Sequence, residues 1–264
     1  MKILIKGAGD LATGIGWRLV RAGYRVWMTD LEVPTAVRRS VSFSRAVYEG
    51  EAEVEGIQAK LADSLKAGEQ ISSEGCIPVF VDPEAAILEA FKPDVLVDAI
   101  MAKKNLGTKI TDAPLVIGVG PGFTAGRDCH RVVETKRGHY LGRVIDSGSA
   151  IPNTGIPGNI GGYTVERIIR ASGDGRFVPL TAIGDRVEAG QIVAMSGNMP
   201  VKARISGIVR GILQEGVPVT KGMKAGDIDP RCSVDHCFCA SDKALAVGGG
   251  VLEAILALSD VLRE

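Results

Sequence analysis

The sequence carries no excess charge of either sign: 31 lysines and arginines stand against 31 aspartates and glutamates. A chain so balanced has no whole-molecule field to draw in nucleic acid or an anionic membrane, so any charge used in binding has to be local. Long apolar runs are missing as well. Met1-Lys2-Ile3-Leu4-Ile5-Lys6-Gly7 lacks the apolar core and small-residue cleavage site of a signal peptide, and no later stretch has the uninterrupted apolar length of a membrane span. The expected address is the cytoplasm, with neither nucleic acid nor a membrane as partner. Histidine is scarce, three in all, and neither His130 nor His139 stands at a metal or triad spacing. The five cysteines are an odd number and read as reduced thiols, not as a disulfide framework. No repeat appears at solenoid periods, and the 34 glycines punctuate the chain without forming a low-complexity tract.

What is present suits a folded chain of one large or two modest domains: 264 residues, 45% of them hydrophobic. Lys2 to Lys6 is a short apolar run. Leu11, Ile15 and Leu19 then share one helical face before Gly23, and Tyr24 to Thr29 reads as a second strand. Further strands are expected at Val79–Val81, Val95–Val97 and Leu115–Ile117, with a helix from Glu84 to Phe91 between the first two. Strands alternating with helices imply an α/β, Rossmann-like, doubly wound parallel sheet. After about residue 175 the texture turns to short β-like runs between glycine turns. A closing helix follows from Ser241 as N-cap, with a stripe of Val247, Val251, Ile255, Leu258 and Leu262. The expected domains are therefore 1–175, a small all-β module over 176–230, and a cysteine-containing loop and helix over 231–264 packed on the first. Gly248, Gly249 and Gly250 sit inside that helix at roughly 1 kcal/mol each relative to alanine, which close packing against the first domain or a ligand would justify.

Gly7-Ala8-Gly9-Asp10-Leu11-Ala12 follows the first strand and opens the first helix. Gly7 permits the tight turn, Gly9 lets backbone approach a pyrophosphate, and Ala12 is small enough for helix–strand packing. The helix N-terminus offers unpaired amides to an anion, and Asp30 at the end of the second strand is placed to accept from ribose hydroxyls. Arg38 and Arg39 lie nearby and would instead favour a phosphorylated ribose, so the ligand stays open. Retention of the glycines for packing alone is the competing reading.

A second glycine turn, Gly118-Val119-Gly120-Pro121-Gly122-Phe123, runs into Arg127-Asp128-Cys129-His130, and in such sheets these loops line the ligand crevice; Asp98, Lys103, Lys104 and Asn105 after another strand, and Glu134 to His139, would face it too, or else form an ordinary solvated charged loop. Gly120 and Gly122 would bring amides to an anion, Arg127 would pair with it, and the Cys129 thiolate would be favoured by a neighbouring cation; a structural loop with an inert cysteine competes. Cys232, His236, Cys237 and Cys239 lack the paired knuckles of a zinc site, so no metal is expected there. A single exposed, activated thiol handling sulfur or a soft metal, Cys237, is the sharper reading of that cluster, and buried or incidental cysteines are the commoner one.

Several stretches together are more specific: Gly7 to Gly14, Leu106-Gly107-Thr108, Gly120 to Phe123, Asp128-Cys129-His130, Glu134-Thr135, Gly226-Asp227-Ile228-Asp229-Pro230-Arg231 and Ser241 to Ala244. With them the chain resembles the YqeB-type selenium-dependent molybdenum hydroxylase accessory family over nearly its whole length. The resemblance implies a cytoplasmic maturation factor holding a molybdopterin-type cofactor, or a nucleotide such as NAD(P). Its partner would be a molybdenum hydroxylase apoenzyme or its maturation machinery, with Cys129 or Cys237 handling sulfur or selenium. The region from Val178 to Ile228 is similar to the barrel-sandwich half of biotinyl and lipoyl carriers. It has no lysine from Gln191 through Val201 to be modified, so a docking or packing element is expected. An NAD(P)-dependent oxidoreductase, with an acid–base residue between Lys103 and His130, and a non-catalytic scaffold with a vestigial Rossmann fold are the alternatives. Whether a reaction is catalysed, and whether the chain forms a homo-oligomer, is left open.

Overall fold

The computed structural model describes residues 1–258. Two compact units emerge, one built from Met1–Pro34, Ser42–Thr154 and the chain from Ala240, the other from Thr35–Val41 and Gly155–Cys239. The division expected near residue 175 therefore falls at Gly155, and the Cys232–Cys239 segment belongs with the β-rich unit.

In the first unit, β1 (Lys2–Lys6), α1 (Asp10–Arg21) and β2 (Arg25–Asp30) are followed by a short α2 (Ala46–Glu49), a β3 (Glu51–Val54) and β4 (Ile57–Ala62) hairpin, and α3 (Leu65–Ser73). Then come β5 (Ile77–Val81), α4 (Leu88–Phe91), β6 (Val95–Asp98), β7 (Leu115–Val119), β8 (Thr124–Ala125), β9 (Arg131–Val133), β10 (Val144–Ile145) and β11 (Gly148–Ser149). α5 (Asp242–Leu258) completes the unit. Nine strands form one mixed sheet in the order β10-β9-β7-β6-β1-β2-β5-β4-β3. Only the edge strands β3 and β10 run antiparallel to their neighbours.

Alternation along the strands explains why both faces are covered. Leu4, Trp27, Phe80 and Leu96 point to one side, where Trp27 stacks on Phe80 and Phe91 at 5.1 and 4.1 Å between ring centroids. α3 closes on that side at Gly68, where a Cβ would stand 2.6 Å from Phe80 Cζ. Its N-terminus is capped by Ser64, which accepts from the Ala67 amide. Ile5 and Met28 point the other way, toward α1, whose buried stripe is Leu11, Ile15 and Leu19.

The helix expected from Glu84 begins only at Leu88. Ala85 is left-handed (φ 53°) and Lys92 likewise (φ 47°), so a single turn is all the backbone allows between them. The Asp82 carboxylate takes up the Ala86 and Ile87 amides that a longer helix would have used.

α5 begins as expected, with the Ser241 hydroxyl accepting from the Ala244 amide at 3.2 Å. Val247, Val251 and Ile255 are buried, and Leu262 lies outside the described residues. The glycine triplet resolves residue by residue. A Cβ on Gly248 would meet the Gly14 carbonyl oxygen of α1 at 2.7 Å, one on Gly250 would collide with the Gly142 carbonyl, and one on Gly249 would meet nothing within 4 Å. Close helix packing therefore accounts for two of the three.

His130 does a backbone's work beside β7. Its amide donates to the Val116 carbonyl, and its Nδ1 accepts from the Val116 amide at 2.9 Å. Burial and then the neighbouring Arg131 push the imidazole below its ordinary value. Only the neutral ring can accept there, so stability is expected to be complete above about pH 6.5 and to be lost as pH falls through the lower folded-state value. Urea midpoints followed from pH 8 to 5 test this. His130→Asn, which keeps an acceptor without the titration, is expected to flatten that part of the profile, and an unchanged slope would refute the assignment.

The second unit contains β12 (Ile168–Arg170), β13 (Gly175–Pro179), β14 (Arg186–Val187), β15 (Ile192–Ser196), β16 (Met199–Lys202), β17 (Gly207–Ile212), β18 (Pro218–Val219) and β19 (Lys224–Asp229). They form two four-stranded antiparallel sheets, β12-β19-β17-β14 and β16-β15-β13-β18. The fold class is thus α/β, with mixed sheets, antiparallel β structure and a C-terminal helix.

Candidate functional site

On one side of β1 the chain places β2, then the outer β3–β4 hairpin, then β5 between β2 and β4; on the other side it builds outward through β6 and β7. Order reverses between β1 and β6, the place at which open α/β sheets commonly take a ligand. The turn after β1 is Gly7–Asp10, and the turn after β7 is Gly120–Phe123.

The glycines in these turns have separable reasons. Gly7 has φ +95°, and a Cβ on it would stand 3.1 Å from the Ala99 carbonyl oxygen just beyond β6. Gly120 (φ +79°) would press on Thr135 Oγ1 at 2.7 Å, and Gly122 (φ +116°) on the Lys104 backbone at 2.7 Å. All three are required by the fold itself. Gly9 is not: it caps α1 at φ −67°, ψ −178°, open to any residue, and nothing stands within 4 Å of its Cβ position. Ala12 is buried, as close helix–sheet packing demands. Asp10 occupies the first turn of α1, an acid favoured by the helix dipole and competing there with any anionic ligand.

Asp30 is tied to the first turn. Its Oδ2 accepts from the Ala8 amide at 3.0 Å and its Oδ1 from the Leu31 amide at 2.7 Å. Burial raises its pKa, and the two amides oppose that rise.

At the ends of β1 and β6 lies a buried polar group that joins Asp98 and Asn105, expected among the polar loop residues, to Lys6, which the sequence did not single out. Lys6, at the end of β1, donates from Nζ to Thr108 Oγ1 at 2.8 Å, and that hydroxyl donates to Asp98 Oδ2 at 2.6 Å. Lys6 Nζ and Asp98 Oδ2 are 3.7 Å apart. Asn105 fixes the Thr108 loop, its Oδ1 accepting from the Gly107 and Thr108 amides. Glu134, also buried, accepts from the Thr135, Lys136 and Ile151 amides at 2.7, 2.7 and 2.8 Å. Its position next to Thr135 organises the wall facing Gly120. The signal available in the sequence was a lysine closing an apolar strand.

Other expected site residues stand differently. Arg127 is paired with its neighbour: its Nε and Nη2 both bind the Asp128 carboxylate at 3.1 Å, on a side chain 73% exposed. Asp128 in turn accepts from the Thr124 amide, so the pair closes a loop. Cys129 is fully buried, and burial pushes its thiol up to about 11. Cys237 is buried as well and shifted up by burial, against the opposing pull of Arg38 and Arg210. Both are thiols at neutral pH, not the exposed, cation-activated thiolates expected. Arg38 and Arg39 belong to the β-rich unit, where Arg38 Nη2 donates to the His236 and Cys239 carbonyls and Arg39 Nε to the Ile212 carbonyl.

Among the described residues, no three His, Cys, Asp or Glu side chains gather in a way that could hold a metal ion, and no helix is long and apolar enough to cross a membrane.

No family model matches the chain. Solved structures align only distantly. An aspartoacylase family protein from Mesorhizobium loti and a succinylglutamate desuccinylase/aspartoacylase from Rhodobacter sphaeroides share 9% and 14% identity. Each alignment covers 86% of this chain and 84% of the other, at a TM-score of 0.27, too low to transfer fold or activity. The uncharacterized protein YqeB of Escherichia coli (strain K12) is 49% identical over 256 residues, 97% of this chain and 47% of that protein. The chain thus spans about half the length of the curated relative it matches, and over that half the two sequences are similar throughout.

Proposed function

We propose that this chain is an accessory, maturation component for selenium-dependent molybdenum hydroxylases. In this reading the first unit is a Rossmann-like, doubly wound domain that binds a molybdopterin-type cofactor or a nucleotide between the turns after β1 and β7. The second unit is a barrel-sandwich-like module that docks on the hydroxylase apoenzyme or its maturation machinery. The molybdenum assignment rests on the motif resemblance, and the binding assignment on Gly9.

Gly9 carries the argument because the fold has no use for a glycine there. Its φ is ordinary and its Cβ position is unobstructed, and serine, asparagine or aspartate would cap the helix better. A phosphate brought against the α1 amides is the reason left for keeping the side chain absent. Assistance of sulfur or selenium insertion belongs to the same proposal. The half-buried thiols of Cys76, Cys232 and Cys239 are better placed for it than the sealed ones.

Calorimetric titration of anaerobically purified protein with molybdopterin, ATP, CTP, NAD and NADP tests the reading. Gly9→Val is expected to leave the urea midpoint unchanged and to weaken binding at least tenfold. A variant that binds as wild type does would remove the site. Asp30, held beside the glycine turn, specifically favours a second reading, an NAD(P)-dependent oxidoreductase. Tight binding of a nicotinamide dinucleotide alone, with hydride turnover, would establish it.

A further inference from the structure

Three parallel strands, β6, β7 and β9, end at the same edge of the nine-stranded sheet, and the segments leaving them meet around Gly120. A Cβ on Gly120 would stand 2.7 Å from Thr135 Oγ1, just past β9, and 3.4 Å from Met101 Cε, just past β6. The Lys104 backbone lies against Gly122, 2.7 Å from its Cβ position. The turn after β7 is therefore flanked by the other two segments.

The segment past β6 is strained and anchored. Met101 and Lys103 hold left-handed backbone at φ 63° and 64°, a conformation that disfavours any side chain, and such outliers gather at ligand clamps. The Ala99 amide donates to the Lys6 carbonyl, and Asn105 Oδ1 accepts from the Gly107 and Thr108 amides. Between these anchors Lys103 and Lys104 are exposed. The segment past β9 is held as firmly, by the three amides that Glu134 accepts and by the Gly142 amide donating to the Glu134 carbonyl. It exposes Lys136, His139 and Arg143.

The carboxylates of these segments are engaged. Asp98 accepts from Thr108, Glu134 from its three amides, and Asp242 from Arg137 at 2.6 and 2.9 Å. Lys104, Lys136 and Arg143 have no carboxylate partner among the described residues. In a chain without net charge, the edge is polarised: cations stand past β6 and β9, and the Asp30 carboxylate ends β2.

We propose that the ends of β6, β7 and β9 bind the outer phosphates of an extended phosphate chain, as of a nucleoside triphosphate, with Lys104 and Lys136 as the charged contacts. The inference rests on nucleotide binding at Gly9 and names the class of ligand. With the first phosphate at the α1 amides, the rest of the chain runs toward Gly120, away from the repelling Asp30 carboxylate. An oxidised nicotinamide ring, itself a cation, does not suit that half of the edge.

Titration of the full chain with AMP, ADP and ATP, without divalent metal and at fixed ionic strength, tests the site. Affinity is expected to rise about tenfold from AMP to ATP, the size of one charge-assisted contact. Lys104→Gln/Lys136→Gln is expected to bring ATP to within about threefold of AMP while AMP itself binds as before. Arginine at both positions is expected to restore the ATP preference, and Gly9→Val to weaken all three nucleotides alike. Lys92→Gln, before β6 at the opposite edge of the sheet, is expected to leave the preference intact, which excludes a general charge effect. Equal affinity for the three nucleotides, or an ATP preference that survives the double variant, would overturn the phosphate-chain site and leave Gly9 standing. Absence of binding by all three would overturn it too, and the molybdopterin titration would then decide the Gly9 site by itself.

Discussion

Asp98→Leu is expected to lower the unfolding free energy by about 3–5 kcal/mol, the range for stripping one partner from a buried ion pair. Lys6 and Asp98 are both buried, and the Thr108 hydroxyl bridges them. In the variant the ammonium keeps only that hydroxyl in a setting where an isolated charge is poorly solvated. The double variant Lys6→Met/Asp98→Leu is expected to recover most of the loss, because apolar replacement of a whole buried pair is often neutral. Urea unfolding of the two single variants and the double variant measures the coupling. A loss below 1 kcal/mol in Asp98→Leu would mean that solvent reaches the pair. Ligand binding measured on the double variant then asks a different question: whether the polar group supports the crevice beyond holding the ends of β1 and β6.

Gly250→Ala is expected to destabilise the protein by about 2–3 kcal/mol, the upper part of the range for overpacking a closed contact. The new methyl would run into the Gly142 carbonyl and stand 2.9 Å from Val133 Cγ1. Gly142 itself has φ +79°, and a Cβ there would meet the Ala246 carbonyl oxygen at 2.6 Å, so neither side can retreat by changing a rotamer. One residue earlier the sign reverses. Gly249→Ala meets nothing within 4 Å and is expected to gain up to about 1 kcal/mol from helix propensity alone. Thermal melts of the two variants decide the matter, and equal shifts would dismiss helix packing as the reason for the triplet.

How much of this was legible depended on whether a residue's reason was local. The strands β1, β2, β6 and β7 and the stripes of α1 and α5 were readable because apolar periodicity reports directly on burial. The β3–β4 hairpin and α3 were not anticipated. The hairpin is short and turns at Glu55 and Gly56 (φ 47° and 80°), and α3 buries little beyond Gly68. The left-handed Ala85 that cut α4 short is a tertiary outcome that composition does not announce. At the site, the glycine turns and Asp30 were visible because their spacing is set by one strand–turn–helix unit. Lys6, Thr108 and Asp98 come from three separated segments, and only the fold joins them. The cysteines misled for the same reason: thiol reactivity depends on surroundings, and Cys129 and Cys237 are surrounded by core.

The order of segments in the first unit has a consequence for biogenesis. That unit is made of three stretches of chain, with the whole of Gly155–Cys239 synthesised before the last of them. The partner of Gly14 and Arg18 on α1 is α5: a Cβ on Gly14 would meet Ala244 Cβ, and Arg18 Nη2 binds the Leu245 carbonyl. Those contacts close a loop of more than two hundred residues, the kind of long-range closure that slows folding. On the ribosome, the nine-stranded sheet therefore waits with one face of α1 uncovered until the β-rich unit has been made. In this chain the glycine-lined helix is the final latch, and truncations that remove it should release an aggregation-prone nascent unit instead of a smaller stable domain.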